Sequence, residues 1–247
     1  MSSLNNQLKN IKLTELLILI IILYLIQTLL NTLNIVYIDT QWIYIFVILY
    51  FAFKLKNSVK YVKTDFKKGF YHYRLIIFVV VLNIFVSYGF LYLADYLSGI
   101  FPFINNGLLS NSILSATLSV IIISPLFEEL VFRGVFLNRL KLNFPILFSI
   151  LISSLIFAAL HSFGNITSAF IFAISMAILY IKSNNIFVPV LAHILNNILA
   201  EIIVFMDSGS VLFSNTDIFY IMAFLAVISF AILGYWIIKQ LIIINVK

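Results

Sequence analysis

The chain has 247 residues, of which 63% are hydrophobic and only 10% are charged, and its mean hydropathy is +1.14. Such values are typical of integral membrane proteins, and the length suits one or two domains. The absence of cysteine excludes disulfides and thiolate metal sites. The net charge of +6 does not indicate nucleic-acid binding, because the basic residues lie in short segments between apolar runs.

Taken in chain order, the apolar runs predict eight membrane-spanning helices. Their approximate bounds are 13–33, 41–53, 75–97, 108–137, 145–161, 166–181, 186–206 and 218–244. The first run is too long for the apolar part of a signal peptide, so we expect it to be retained as a span. The predicted fold is therefore all-α, a polytopic membrane bundle that forms a single domain over residues 1–247. Its motif-bearing core covers about residues 108–206.

The basic residues favour this arrangement and give it an orientation. All 15 Lys and Arg residues fall on one side of the eight-span pattern, and Asp39, Asp207 and Asp217 fall on the other side. The positive-inside rule then places both termini in the cytoplasm. The most basic connecting loop, Asn57–Arg74, is explained by topology and by attraction to anionic headgroups. A docking surface for an acidic partner is the alternative.

Two adjacent carboxylates, Glu128 and Glu129, lie at the inner end of the fourth apolar run, and Arg133 follows. A charge at hydrocarbon depth costs about 3 kcal/mol or more, so function is the first hypothesis. Glu129 and Arg133 are four residues apart and share a helix face. Arg133 can therefore hold Glu129 and leave Glu128 free to face a cavity. A purely structural ion pair is the alternative, and it leaves Glu128 unexplained.

Two of the three histidines also lie at membrane depth. His161 ends the fifth run, and His193 lies in the seventh, four residues before Asn197 and on the same helix face. Taken singly, each of these residues is explained by an interhelical hydrogen bond. The third histidine, His72, lies in the basic loop among tyrosines, and we interpret it as an interfacial residue.

Together these residue types suit hydrolysis. A carboxylate can act as a general base, and an imidazole can orient the attacking water. An Asn amide and a second imidazole can donate hydrogen bonds to an oxyanion. The same atoms offer an alternative, a zinc ion bound by Glu128, His161 and His193. The local HExxH signature of many zinc hydrolases is absent from the sequence.

Three motifs follow one another on separate apolar runs: Glu128-Glu129-x-x-x-Arg133, Phe157-x-x-x-His161 and His193-x-x-x-Asn197. In that order they resemble the CPBP family, which comprises type II CAAX prenyl endopeptidases and bacteriocin-processing or immunity proteins, also called the Abi family. The first three spans carry no matching motif.

The resemblance implies intramembrane proteolysis in the cell membrane. It makes Glu128 the water-activating residue, with Glu129 and Arg133 as its supporting pair. It makes His161 the first essential histidine, and it places His193 and Asn197 in the third motif. Both metalloprotease and metal-free mechanisms are proposed for such proteins, and we favour the metal-free one here.

We expect Glu128, His161, His193 and Asn197 to line one cavity, with the Glu128 carboxylate and the His161 imidazole about 3–6 Å apart. The expected substrate is a membrane-associated peptide or protein, such as a CAAX protein, a peptide pheromone or a bacteriocin precursor. A non-catalytic immunity or scaffold protein is the first alternative. A small transporter is the second, although the lack of an internal repeat weakens it.

Overall fold

The computed structural model describes residues 4–100, 118–161, 166–206 and 215–246, without the side chains of residues 94–100 and 204. In this part of the chain the regular structure is helical and contains no strand. The α-helices are α1 (Leu4–Leu8), α2 (Leu13–Thr32), α3 (Gln41–Lys54), α4 (Val59–Phe70), α5 (Tyr73–Ile100), α6 (Ser124–Glu129), α7 (Leu137–Asn143), α8 (Ile146–Ala159), α9 (Ile166–Ser183), α10 (Phe187–Met206) and α11 (Thr216–Val246).

Several of these helices can cross a membrane, which confirms the prediction of an all-α, polytopic membrane protein. Among the described residues, α2, α9, α11 and the first 21 residues of α5 are long and apolar enough to span. A fifth span results if α3 and the helical segment Lys56–Phe70 are counted together, although they are bent by 65°. Helix α8 and the part of α10 from Phe187 to Ile203 are apolar but shorter. The count of eight stays a prediction, and the fourth predicted span begins outside the described residues.

The basic segment that we expected to be a connecting loop contains a regular helix, α4. Its apolar residues Val59, Val62, Phe66 and Phe70 are three or four positions apart, which is the spacing of one helix face. The lysines that suggested a loop occupy the remaining positions. Charge density alone was therefore a poor guide to the backbone here, because an amphipathic helix can carry the same charge.

Helix α9 lies inside the bundle and fixes the helices around it. Every residue from Phe172 to Tyr180 is buried, and α9 packs against α5, α8 and α10. Helix α10 in turn packs on α4, α5 and α6. The histidine of α10 is thereby held against the helix that carries the two glutamates.

Candidate active site

Residues 118–143 are helical throughout, and we call this segment the glutamate helix. It consists of α6 and α7 with two π-helical turns, Ser119–Ile123 before α6 and Leu130–Phe136 after it. Turns of this kind inside α-helices are frequent at functional sites. They change the direction of the side chains on either side, so Glu128 and Glu129 lie between two adjustments of the helix register.

Pro125 explains part of this irregularity. In the first π turn the N–H of Ser124 donates to the carbonyl oxygen of Ser119, five residues earlier. The next donor in that register would be residue 125, which is a proline and has no N–H. The Val120 carbonyl is left without this helical donor, and Asn197 Nδ2 donates to it at 2.8 Å. Asn197 thus joins α10 to the glutamate helix about two turns before Glu128.

Glu129 and Arg133 form an ion pair inside the protein. The distance between Arg133 Nη1 and Glu129 Oε1 is 3.1 Å, and the side chains are 1% and 0% exposed. Arg133 Nη2 donates to the Ala173 carbonyl of α9 at 3.0 Å, and the guanidinium lies 4.7 Å from the Phe157 ring of α8. A buried arginine with these contacts ties the glutamate helix to α8 and α9.

His193 lies between the two glutamates. Its Nδ1 is 2.9 Å from Glu129 Oε1, the oxygen that Arg133 also contacts. Because an ionised carboxylate can only accept, this nitrogen carries the proton, and in the neutral imidazole Nε2 presents a lone pair. Nε2 is 3.8 Å from Glu128 Oε2. The Phe172 ring meets the imidazole nearly edge-on, with centroids 4.7 Å apart, and limits its rotation.

Glu128 has a different environment from Glu129. Its Oε1 accepts a hydrogen bond from Ser124 Oγ at 2.5 Å, and its Oε2 is buried without a hydrogen-bond partner in the described structure. The side chain is 17% exposed, whereas that of Glu129 is fully buried. A buried acceptor of this kind calls for a water, a proton or a bound ligand. Glu129 Oε2 is also buried without a partner, but the Glu129 side chain is fully buried. Glu128 Oε2, which lies opposite His193 Nε2 on a partly exposed side chain, is therefore the better candidate for the reacting atom.

His161 follows α8 and contacts Phe157 of that helix. Its Nδ1 donates to the Phe157 carbonyl at 2.8 Å, and its ring lies against the Phe157 ring with centroids 4.5 Å apart. The same Phe157 ring is 6.3 Å from the His193 ring. Among the described residues, no ion pair within 4.0 Å joins His161 to either glutamate. The expected separation of about 3–6 Å from Glu128, direct or through one water, stays a prediction.

The structure therefore places the predicted residues in three groups. Glu128, Glu129, Arg133 and His193 are linked by direct contacts. Asn197 binds the backbone of the glutamate helix, and His161 contacts Phe157, whose ring also lies near His193.

Ser124, Asn83 and Asn196 were not singled out from the sequence. Ser124 could have been found, because it precedes Glu128 by four residues, the spacing of one helix face. Asn83 is an isolated amide in the third apolar run, which is itself a signal. Its Nδ2 donates to Asn196 Oδ1 at 2.9 Å, and Asn196 lies next to Asn197.

A zinc ion does not fit these residues as they stand. Zinc requires its ligand atoms within about 2.0–2.3 Å of one centre. In the described part of the chain, no three His, Asp or Glu side chains are grouped closely enough to hold a metal ion. His193 Nδ1 already contacts Glu129, and His161 Nδ1 already donates to the Phe157 carbonyl. The alternative ligand set Glu128, His161 and His193 is not assembled here.

Comparison with known proteins supports the interpretation of the motifs. Residues 110–199 match the family model described as Type II CAAX prenyl endopeptidase Rce1-like. The match covers less than half of the chain, and it contains all three motifs. The resemblance to the CPBP and CAAX protease family, predicted from those motifs, is thereby confirmed. No curated protein matches the chain, and no solved structure matches it either.

Proposed function

We propose that this protein is an intramembrane endopeptidase in which Glu128 activates a water molecule for attack on a peptide bond. The observation that carries the proposal is the difference between the two adjacent glutamates. Each glutamate has a buried Oε2 without a hydrogen-bond partner, but Glu129 Oε1 is held by Arg133 and His193 and the side chain is fully buried. Glu128 has no cationic partner at hydrogen-bond distance, is partly exposed, and has its Oε2 3.8 Å from His193 Nε2. A structural ion pair would need only Glu129, so Glu128 is the residue left for chemistry.

The reaction would proceed by general base catalysis. A water bound at Glu128 Oε2 transfers a proton to that oxygen while its own oxygen bonds to the peptide carbonyl carbon. The carbonyl π electrons move to oxygen and form the oxyanion of a tetrahedral intermediate. Glu128 then donates the proton to the amide nitrogen, the C–N bond breaks, and an amine and a carboxylic acid are released. No metal is needed in this sequence of steps.

The neighbouring residues would prepare this water. His193 Nε2 accepts its second hydrogen, and Glu129 fixes the imidazole by accepting from Nδ1. Ser124 holds the other oxygen of Glu128, so the carboxylate cannot rotate freely. Asn197 keeps one amide hydrogen beyond its bond to Val120, and we assign that hydrogen to the oxyanion. We assign His161, which lies against Phe157, to contact with the bound substrate.

The substrate class follows from the site and the family. We propose a membrane-associated peptide or protein that is cut close to the cytoplasmic leaflet. The matched family model is named for CAAX prenyl endopeptidases, which supports a CAAX-type substrate. Processing of a peptide pheromone or a bacteriocin precursor would use the same chemistry.

Peptide mass spectrometry of membranes with and without the protein tests this proposal. Glu128→Gln keeps the shape of the side chain and removes the base. A general base contributes about 10²–10⁴-fold, so we expect cleavage to fall by that factor while the melting temperature in detergent is retained. Ser112→Ala is outside the site motifs and serves as a mutagenesis control in the same assay.

The other candidate functions give different results in the same experiment. An immunity or scaffold protein would keep its phenotype with Glu128→Gln. A transporter would show flux in liposomes while no peptide bond is cut. Exhaustive chelation should leave cleavage unchanged, and loss on chelation with specific rescue by zinc would contradict the metal-free mechanism.

A further inference from the structure

Helix α4 is held against the protein by one face, which we call its inner face. Asp65 Oδ2 accepts from the N–H of Leu4 at 3.0 Å, and the Asp65 carbonyl accepts from Asn185 Nδ2 at 2.6 Å. Gly69 is buried, and a Cβ at this position would lie 3.2 Å from Phe187 Cβ. These contacts fix the rotation of the helix about its axis, so the directions of its other two faces are determined.

The second face of α4 is an exposed apolar stripe, formed by Val59, Val62, Phe66 and Phe70. Val59 is 62% exposed and Phe70 is 50% exposed. Phe66 is 41% exposed although its ring meets that of Phe187 edge-on, with centroids 5.4 Å apart. An apolar stripe of this length on a helix between two membrane helices is suited to contact with lipid.

The third face is basic and lies next to the apolar stripe. Lys60, Lys63, Lys67 and Lys68 are exposed on it. From Lys54 to Arg74, with both ends included, the sequence carries seven basic residues and a single acidic one, Asp65. Asp65 faces inward, so no carboxylate of α4 neutralises the lysines. A helix with apolar and basic faces side by side lies in the plane of a membrane interface, with its lysines toward the headgroups.

A cavity of about 230 Å³ opens beside the apolar stripe. Its lining residues are all apolar. Helices α1, α3, α4 and α10 and the glutamate helix contribute most of them, and Leu55 and Ile186 lie just outside these helices. Leu126 and Leu130 contribute the wall on the glutamate helix, one to two residues from the two glutamates. An apolar cavity stays free of water and accepts apolar ligands. Its volume is below the 300–1,000 Å³ or so of drug-sized pockets, so it suits part of an alkyl chain.

We propose that α4 and this cavity form a binding site for an anionic membrane phospholipid. One acyl chain would enter the cavity past Val59 and Val62, and the phosphate-bearing headgroup would lie against the lysines of α4. Charge complementarity favours an anionic lipid over a zwitterionic one, because the basic face has no competing carboxylate. The chain would touch Leu126 and Leu130, which places a lipid against the helix that carries Glu128. The proposal does not depend on proteolytic activity.

Photo-crosslinking of the full-length protein in nanodiscs tests this site. Phosphatidylglycerol and phosphatidylcholine carry the same diazirine in one acyl chain, and the labelled peptides are mapped by mass spectrometry. We expect label on α3 and α4 around the cavity, several-fold stronger from phosphatidylglycerol. Equal labelling by the two lipids, or no label on these helices, would overturn the proposal.

Two pairs of variants distinguish binding of the acyl chain in the cavity from binding of the headgroup by the lysines. Ala52→Phe fills the cavity and should abolish the label there, whereas Ala231→Phe, at an exposed position of α11, should keep it. Lys63→Gln with Lys67→Gln should reduce phosphatidylglycerol labelling to the level of phosphatidylcholine. Lys12→Gln with Lys239→Gln removes the same charge elsewhere and should change nothing.

Folding of each variant is checked by size exclusion and by helix content. If Ala52→Phe does not fold, competition in the wild-type protein replaces it. Excess unlabelled phosphatidylglycerol should then displace the label. Displacement by a lipid-modified peptide but not by phosphatidylglycerol would overturn the proposal, since the cavity would belong to the substrate.

Discussion

At the scale of single residues, two neighbouring glutamates have different surroundings because a helix turns about 100° per residue. Glu129 points into the bundle, where Arg133 and His193 share its Oε1. Glu128 points toward Ser124 and the edge of α10. Glu129 Oε1 is therefore held by a guanidinium and an imidazole, whereas Glu128 Oε1 is held by a hydroxyl group, and the Oε2 atom of each glutamate is buried without a partner.

Removal of the arginine should therefore damage the fold. Arg133→Ala leaves the buried Glu129 carboxylate without its countercharge, and the loss of one partner of a buried pair costs about 3–5 kcal/mol. Glu128→Gln should leave the stability nearly unchanged, because its lost charge has no cationic partner at hydrogen-bond distance. Thermal melts in detergent compare the two variants. Equal melting temperatures would contradict the division of roles between the glutamates.

The effects of substitutions at Asn197 and at Pro125 on the free energy of unfolding should be coupled. Asn197→Ala leaves the Val120 carbonyl without its donor, which we expect to cost about 1–2 kcal/mol. Pro125→Ala supplies a backbone N–H at the position where the helix lacks one, so in that background Asn197→Ala should cost less. Denaturation of the two single variants and the double variant measures the coupling. Fully additive effects would show that Pro125 does not create the need for Asn197.

At the scale of helices, local periodicity explains which predictions succeeded. The observed bounds of α2, α9 and α10 lie within two residues of the predicted ones, because long apolar runs mark such helices clearly. The Glu129–Arg133 pair was also predictable, since it needs only a spacing of four within one helix. The contact of His193 with Glu129 was not, because it depends on the relative depth and rotation of two helices.

The glutamate helix shows a further limit of prediction from sequence. A run of apolar residues does not reveal where the backbone changes register, and the two π-helical turns follow from packing as much as from Pro125. Helical spacing places a side chain on a face, but the neighbouring helices decide which atoms it reaches.

Helices α5 and α11 should be sensitive to one added methyl group. A Cβ on Gly89 would lie 2.7 Å from Ala226 Cβ, so Gly89→Ala forces the two helices apart. Such overpacking costs about 1–3 kcal/mol. Gly234→Ala is the matched control, because a Cβ on Gly234 meets nothing within 4 Å and the substitution favours the helix. Melting in detergent distinguishes them, and a Gly89→Ala variant as stable as the control would contradict the close approach.

At the scale of the whole molecule, the polar site and the basic helix α4 lie on connected elements. Helix α4 packs on α10, which carries His193, and α10 packs on α6, which carries Glu128 and Glu129. The lysines of α4 and the two glutamates thus lie on helices that both contact α10. This arrangement has a functional meaning only if α4 lies on the cytoplasmic side, as the distribution of basic residues predicts.

Single-cysteine labelling decides the orientation directly, because the natural chain contains no cysteine that would have to be removed. Lys60→Cys lies on the basic face of α4 and should react with a membrane-impermeant thiol reagent only after the cells are permeabilised. Tyr37→Cys, at an 85% exposed position between α2 and α3, should react in intact cells. The reason is that seven basic residues flank and occupy α4, whereas the segment around Tyr37 carries Asp39 and no lysine or arginine. Labelling of residue 60 in intact cells would overturn the orientation, and labelling of both positions from the same side would show that α3 does not cross the membrane.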